Sequence, residues 1–242
     1  MSLENHVAVI TGGSKGVGRA VALRFAKLGV KQVIGARGES ELEKVVQEIR
    51  DIGGEAVGIP TDVSDPVQAK NLVSSAVDEY GSLDILINNA GVGIYGDIEK
   101  FYLTDLETLL SVNLKGTYYC SQSAFRIMKQ QKSGHVINVA SIAGKMGLPQ
   151  ESAYNASKFA MVGVGQSLKK EGMPYGIRVH NVCPGGIDTP FWDEVPNPPD
   201  VSKFLTPDEV ASVVEYVATS SENVVFEDIT LHPKQEYEER VI

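Results

Sequence analysis

The chain has 242 residues, 43% of them hydrophobic, and a formal net charge of −9. That length supports one large core, and no linker or charge block divides it, so it reads as a single domain. The acidic balance and the lack of a continuous basic stripe argue against a nucleic-acid or anionic-membrane partner.

From the N-terminus, short β-branched runs alternate with longer amphipathic stretches. The strand candidates are His6 to Ile10, Gln32 to Ala36, Glu55 to Pro60, Leu83 to Asn88, His135 to Ala140, Arg178 to Cys183 and Asp228 to Leu231. Between them, Val17 to Leu28, Glu39 to Ile52, Pro66 to Tyr80, Thr104 to Lys132, Ser152 to Gly172 and Pro207 to Thr219 are long enough to be crossover helices. This alternation predicts an α/β, doubly wound, seven-stranded parallel sheet of Rossmann type, with helices on both faces and ligands at the carboxyl ends of the strands. Val195 to Asp200, with three prolines, reads as an irregular surface loop within a substrate loop around 186–206.

No apolar run is long enough to span a membrane, and the strand pattern begins by His6 without a signal-like core; a cytosolic location is expected. Cys120 and Cys183 each stand in an apolar stretch and read as buried free thiols. The four histidines are scattered without zinc-type spacing, so no metal is expected.

The first strand runs into Thr11-Gly12-Gly13-Ser14-Lys15-Gly16-Val17-Gly18, which opens a helix. Glycines there let backbone amides approach a pyrophosphate and aim a helix N-terminus at its charge. An acid that takes both ribose hydroxyls of NAD normally ends the second strand, but here Ala36 is followed by Arg37. With no carboxylate to repel a 2′-phosphate, and Arg37 and Lys15 to pair with it, the expectation is NADP(H) in preference to NAD(H). Asp62-Val63 and Asn88-Asn89-Ala90-Gly91 end the third and fourth strands. They suit adenine and the adjacent ribose, and equally suit turn chemistry.

Tyr154 and Lys158, four apart in a helix, lie on one face a short loop after Ser141. Carbonyl reduction needs a hydride on carbon, which a nicotinamide supplies, and a proton on oxygen, for which Tyr154 is the expected donor. A nearby Lys158 ammonium is expected to lower the phenol's pKa, and Ser141 to orient the substrate oxygen. The substrate side reads as Gly93, Ile94, Tyr95, Met146, Leu148, Pro149, Phe191 and Trp192. These are mostly apolar and favour a neutral or extended carbonyl over a small anionic keto acid. Phe191 and Trp192 could serve as packing or as a lid.

These motifs, together with Asn113 and with Pro184-Gly185 followed by Thr189, resemble the short-chain dehydrogenase/reductase family over nearly the whole chain. The resemblance implies a catalytic tetrad of Asn113, Ser141, Tyr154 and Lys158, with Asn113 holding a water linked to Lys158. It also implies that Ile187 and Thr189 contact the nicotinamide carboxamide, and that Pro184 and Gly185 border the cofactor. Pairing through the two long helices, as a homodimer or homotetramer, is likewise expected. Two kinds of relative are considered: reductases of 3-oxoacyl thioesters on an acyl carrier protein, for which Arg126 and Lys170 would be docking residues, and sepiapterin-type reductases, resembled by Thr189 to Trp192. The closing Gly-Gly of the carrier-protein enzymes is missing, so a general carbonyl reductase is the expected activity, with a silent NADP-binding sensor as the alternative of another class.

Overall fold

The computed structural model describes residues 2–193, 195 and 199–241. Its strands are β1 (Val7–Thr11), β2 (Lys31–Ala36), β3 (Glu55–Pro60), β4 (Ile85–Asn88), β5 (Gly134–Val139), β6 (Ile177–Pro184) and β7 (Asp228–Leu231). Its α-helices are α1 (Gly16–Lys27), α2 (Glu39–Asp51), α3 (Pro66–Tyr80), α4 (Leu103–Leu109), α5 (Thr117–Gln131), α6 (Ser152–Gly172), α7 (Pro207–Thr219) and α8 (Lys234–Val241). The strands form one parallel sheet in the order β3-β2-β1-β4-β5-β6-β7. The architecture is therefore the expected doubly wound one.

Strands β1 and β4 are buried at every position, as a strand covered on both faces must be. Phe25 of α1, Ile49 of α2 and Val214 of α7 pack on one face; Leu72 of α3 and Met128 of α5 pack on the other, where α6 also lies. The helix ends follow local chemistry. The Asp65 carboxylate accepts from Val67 N and Gln68 N ahead of α3, with Pro66 at its first position. Thr206 and Glu209 form a reciprocal capping box at α7.

Some boundaries differ from the sequence reading. Strand β4 starts at Ile85, because the Gln131 side chain takes both backbone groups of Leu83. The single helix expected over Thr104 to Lys132 is α4 and α5 joined by a π-helical stretch, Leu110–Gly116, that carries Asn113. Pro196 and Pro198 of the proline-rich loop fall outside the described residues.

Two buried polar clusters flank the carboxyl-terminal half of the sheet. On the α6 side, Asn88, Asn138, Asn181 and Asp228 stand abreast on four adjacent strands. Asn88 donates to Asn138 (2.9 Å), Asn138 to Asn181 (2.9 Å) and Asn181 to Asp228 (2.8 Å). Gly165 of α6 leaves room for this ladder, since a Cβ there would lie 2.1 Å from Asn181 Oδ1. Beyond it, Lys145 and Gln166 donate to the other Asp228 oxygen. On the α7 side, the His135 and His180 rings meet edge to face with centroids 4.8 Å apart. Arg178 donates to His135 Nδ1, His180 Nδ1 donates to Phe226 O, and neither buried Nε2 has a partner among the described residues.

Candidate active site

The sheet order reverses between β1 and β4, and a cavity of about 800 Å³ lies beyond the strand ends there. Its lining divides into two halves. Lys15, Gly16, Val17, Arg37, Asn89, Gly91, Pro184, Gly185, Ile187 and Thr189 form one half. Tyr95, Leu148, Phe191 and Trp192 form the other, and Ser141, Tyr154 and Lys158 stand between them.

The glycine turn is shaped by close approach. Gly12 has φ +63 and a Cβ there would lie 2.8 Å from Ala90 Cα; a Cβ on Gly18 would lie 2.3 Å from Gly12 O. Thr11 Oγ1 accepts from Asn89 N and Ala90 N, and Asn89 Nδ2 donates to Thr11 O and Gly12 O, so the end of β4 holds the turn in place. No side chain caps α1 and no acid occupies its first turn. Its free N–H groups and positive dipole end therefore remain available at the cavity wall, which suits a pyrophosphate.

At Arg37 the sequence reading needs a correction. Strand β2 ends without an acid, but a carboxylate does reach this corner. Glu41, in the first turn of α2, folds back over Gly38 and is held below its ordinary pKa by its own backbone N–H and by Ser40, with Lys15 close enough to contribute. An uncapped helix start attracts such an acid.

Ser141 follows β5 in extended backbone, and its Oγ accepts from Ala143 N at 3.1 Å. Its hydroxyl stands close enough to the Tyr154 phenol to favour the ionised form. Lys158 Nζ lies 5.7 Å from the Tyr154 ring centroid. Both side chains are buried, which reverses the expected direction for the phenol: desolvation raises the Tyr154 pKa above its ordinary value and outweighs the Ser141 hydroxyl. Desolvation also pulls Lys158 down to about 8. The phenol thus holds its proton at neutral pH, as a donor must.

Asn113 is fully buried. Its Oδ1 accepts from Val92 N (2.9 Å), and its Nδ2 donates to Val92 O (3.0 Å) and Ser157 Oγ (3.0 Å). It thereby ties the π-helical stretch to the loop after β4 and to α6. A Cβ on Gly91 would lie 3.3 Å from Asn113 Oδ1 and 3.4 Å from Lys158 Nζ, so these two groups flank one small residue.

The other half is aromatic. Tyr95 meets Tyr154 edge to face at 5.4 Å and stacks on Trp192 at 5.9 Å. Thr189 Oγ1 accepts from Phe191 N, and Phe191 lies beside Tyr154 with ring centroids 6.3 Å apart; Trp192 Nε1 donates to Ile187 O at 2.8 Å, and its ring lies against Tyr95 and Phe191. Gly93 is small because Phe191 lies 2.4 Å from where its Cβ would be.

The model of the short chain dehydrogenase family matches residues 6–199. The chain belongs to the short-chain dehydrogenase/reductase family. That is a family of oxidoreductases using a nicotinamide cofactor. Among its relatives, a sepiapterin reductase of Chlorobaculum tepidum is 33% identical over 235 residues, covering 94% of this chain and 96% of that one. A 3-oxoacyl-[acyl-carrier-protein] reductase of Synechocystis sp. is 32% identical over 224 residues, covering 90% and 91%. In structure, an alcohol dehydrogenase of the archaeon Thermococcus sibiricus, complexed with 5-hydroxy-NADP, matches at TM-score 0.87 and 27% identity, covering 95% of this chain and 97% of that one.

Several expected site residues of this short-chain dehydrogenase lie behind the cavity wall. Gly12, Gly18 and Ala90 pack against one another beneath the turn, and Ser14 and Asp62 are not on the lining. Asp62 accepts from Ser64 N and Oγ, which is turn chemistry. Val63 packs against Gly116. Met146 is also off the lining, and its carbonyl accepts from Asn155. Asn155 was missed altogether: its Nδ2 donates to Ala143 O and Met146 O, and its Oδ1 accepts from Leu148 N, stapling the loop after Ser141 to α6 beside Tyr154. An asparagine inside a helix is the sequence signal that could have exposed it. Among the described residues no helix is long and apolar enough to cross a membrane, and no group of three His, Cys, Asp or Glu is placed to hold a metal.

Proposed function

We propose that the protein reduces a ketone or aldehyde to an alcohol with NADP(H), Tyr154 giving its proton to the carbonyl oxygen. The observation that carries this reading is that Ser141, Tyr154 and Lys158 converge on one cavity whose far end is an uncapped helix start beside Lys15 and Arg37. Bound in this cavity, a nicotinamide cofactor would supply the hydride. The rest is the work of the chain. The backbone of Gly16 and Val17 receives the pyrophosphate. Asn89 and Gly91 border the adenosine side, and Pro184, Gly185, Ile187 and Thr189 border the nicotinamide. Ser141 donates to the substrate oxygen and holds it near Tyr154. Lys158, an ammonium below about pH 8, stabilises the phenolate left when the proton has moved. Asn113 ties the loop after β4 to α6 at Ser157, the residue before Lys158.

Arg37 and Lys15, both exposed at the cavity rim, support NADP(H) over NAD(H), because two cations face a 2′-phosphate against one carboxylate, Glu41. The apolar lining supports a neutral or extended carbonyl, including an acyl thioester. The relatives named above act in their own settings on a pteridine or an acyl-carrier thioester, and both belong among the substrates to test. Tyr118 of α5 and Phe159 of α6 are exposed, which supports pairing of two copies through these helices.

The test is oxidation of NADPH and NADH against a 3-oxoacyl thioester, a vicinal diketone, a sepiapterin-like pteridine and an aromatic aldehyde. We expect NADPH-dependent turnover of at least one. Tight NADPH binding with no turnover of any would point first to a carbonyl outside this panel and second to a silent cofactor sensor.

A further inference from the structure

The loop from β5 to α6 carries a hydroxyl of the site and a wall of the cavity. Ser141 opens it, and Leu148 and Pro149, both on the cavity lining, stand near its end. An irregular segment has to place its backbone polar groups somewhere. Part of the pairing is local: Gly144 N donates to Ser141 O, and Lys145 N and Met146 N donate to Ile142 O. Gln150, at φ 62 although it is not glycine, ties the far end to the loop after β4. Its carbonyl accepts from Gly96 N at 2.8 Å, and its Nε2 donates to Asp97 Oδ1 at 3.1 Å. The middle is taken by one buried side chain of α6. Asn155 Nδ2 donates to Ala143 O and to Met146 O, each at 2.7 Å, and its Oδ1 accepts from Leu148 N at 3.1 Å.

Two donors and an acceptor on one short side chain are what an asparagine supplies and an ionised aspartate lacks. Between these bonds the loop lies directly on the helix: a Cβ on Gly144 would be 2.8 Å from Lys158 O and 2.9 Å from Val162 Cγ2. Asn155 follows Tyr154 in the chain, so the loop is fastened to the turn of α6 that carries the phenol. Asn155 itself is not on the cavity lining. We propose that Asn155 is a positioning residue, which holds the Ser141 hydroxyl and the Leu148 wall in a fixed relation to Tyr154 and thereby sets the rate of the reaction. A misplacement of about 1 Å in such a site costs on the order of a hundredfold in rate. The effect on rate rests on the function proposed above; the hold on the loop rests on the three hydrogen bonds alone.

Asn155→Ala removes all three bonds and keeps a strong helix former in α6. Two measurements on the intact protein test the proposal: hydrogen exchange of the backbone over residues 142–150, and NADPH oxidation with benzaldehyde and with 2,3-hexanedione. In Asn155→Ala we expect exchange at least about tenfold faster over this stretch. We also expect kcat to fall between about tenfold and a hundredfold, with KM and the NADPH dissociation constant within about threefold of the wild type. Asn155→Asp checks the chemistry. Facing two carbonyl oxygens in a buried place, its carboxyl keeps a proton above the ordinary range, and so protonated it donates to one carbonyl and still accepts from Leu148 N. Its kcat relative to the wild type at the same pH should therefore be higher at about pH 5.5 than at about pH 7.5. Unchanged exchange in Asn155→Ala overturns the assignment. So does a wild-type kcat accompanied only by a lower melting temperature, the mark of a purely structural residue. Reduction of neither carbonyl by the wild type counts against the carbonyl reading and leaves exchange to decide on Asn155: faster exchange upholds its hold on the loop, and unchanged exchange removes it.

Discussion

At the scale of single residues, burial decides the chemistry. Lys158 was expected to draw the Tyr154 phenol toward neutral pH, but desolvation acts on both groups and dominates, raising the phenol and bringing the ammonium to about 8. Sequence spacing puts the two side chains on one helical face; it carries no information about the water around them. Arg37 and Lys15 show the same limit in another form. Their position at the rim was legible from the glycine turn and the end of β2, whereas the return of Glu41 over Gly38 depends on how α2 is capped. Replacing Arg37 with Asp is predicted to invert the NADPH/NADH ratio of kcat/KM, by about tenfold or more, because a repelled 2′-phosphate and a newly bonded ribose act in the same direction. An unchanged ratio would remove Arg37 from cofactor selection.

At the scale of elements, the strands and crossover helices were legible because period-two and period-3.6 patterns are local. What joins them was not. The π-helical stretch Leu110–Gly116, the Gln131 clamp on Leu83 and the asparagine ladder all depend on pairs 20 or more residues apart, with separations of 21, 48, 50, 43 and 47. The ladder locks the ends of β4 to β7 in register beneath the loops that carry Ser141 and the nicotinamide-side residues. Asn138→Ala would leave Asn88 Nδ2 and Asn181 Oδ1 each short of one partner in a buried site. Denaturant unfolding should then show a loss of about 2–3 kcal/mol. A loss below about 0.5 kcal/mol would mean the ladder contributes little to the sheet.

At the scale of the whole molecule, the His135–His180 pair makes stability depend on pH. Both imidazoles sit under α7 with their pKa values lowered mainly by burial, with Arg178 facing both and Lys169 adding to His180, which falls to about 4. In the unfolded chain each returns to about 6.5. The stability His180 contributes is therefore complete above about pH 6.5 and is lost as pH falls toward 4, because only the unfolded chain takes up the proton there; the His135 contribution changes in the same direction. For His180 this amounts to on the order of 2–3 kcal/mol. Unfolding curves for the wild type and His180→Phe at about pH 7 and about pH 4.5 should converge as pH falls, the variant losing less. Parallel losses would place the acid sensitivity elsewhere.

The central claim is that Tyr154 supplies the proton on a cavity otherwise built to hold the cofactor. Measured side by side, Tyr154→Phe should lower kcat on the best carbonyl by at least about a hundredfold while the NADPH dissociation constant stays within about threefold of the wild type. Turnover by Tyr154→Phe at the wild-type rate would contradict the account.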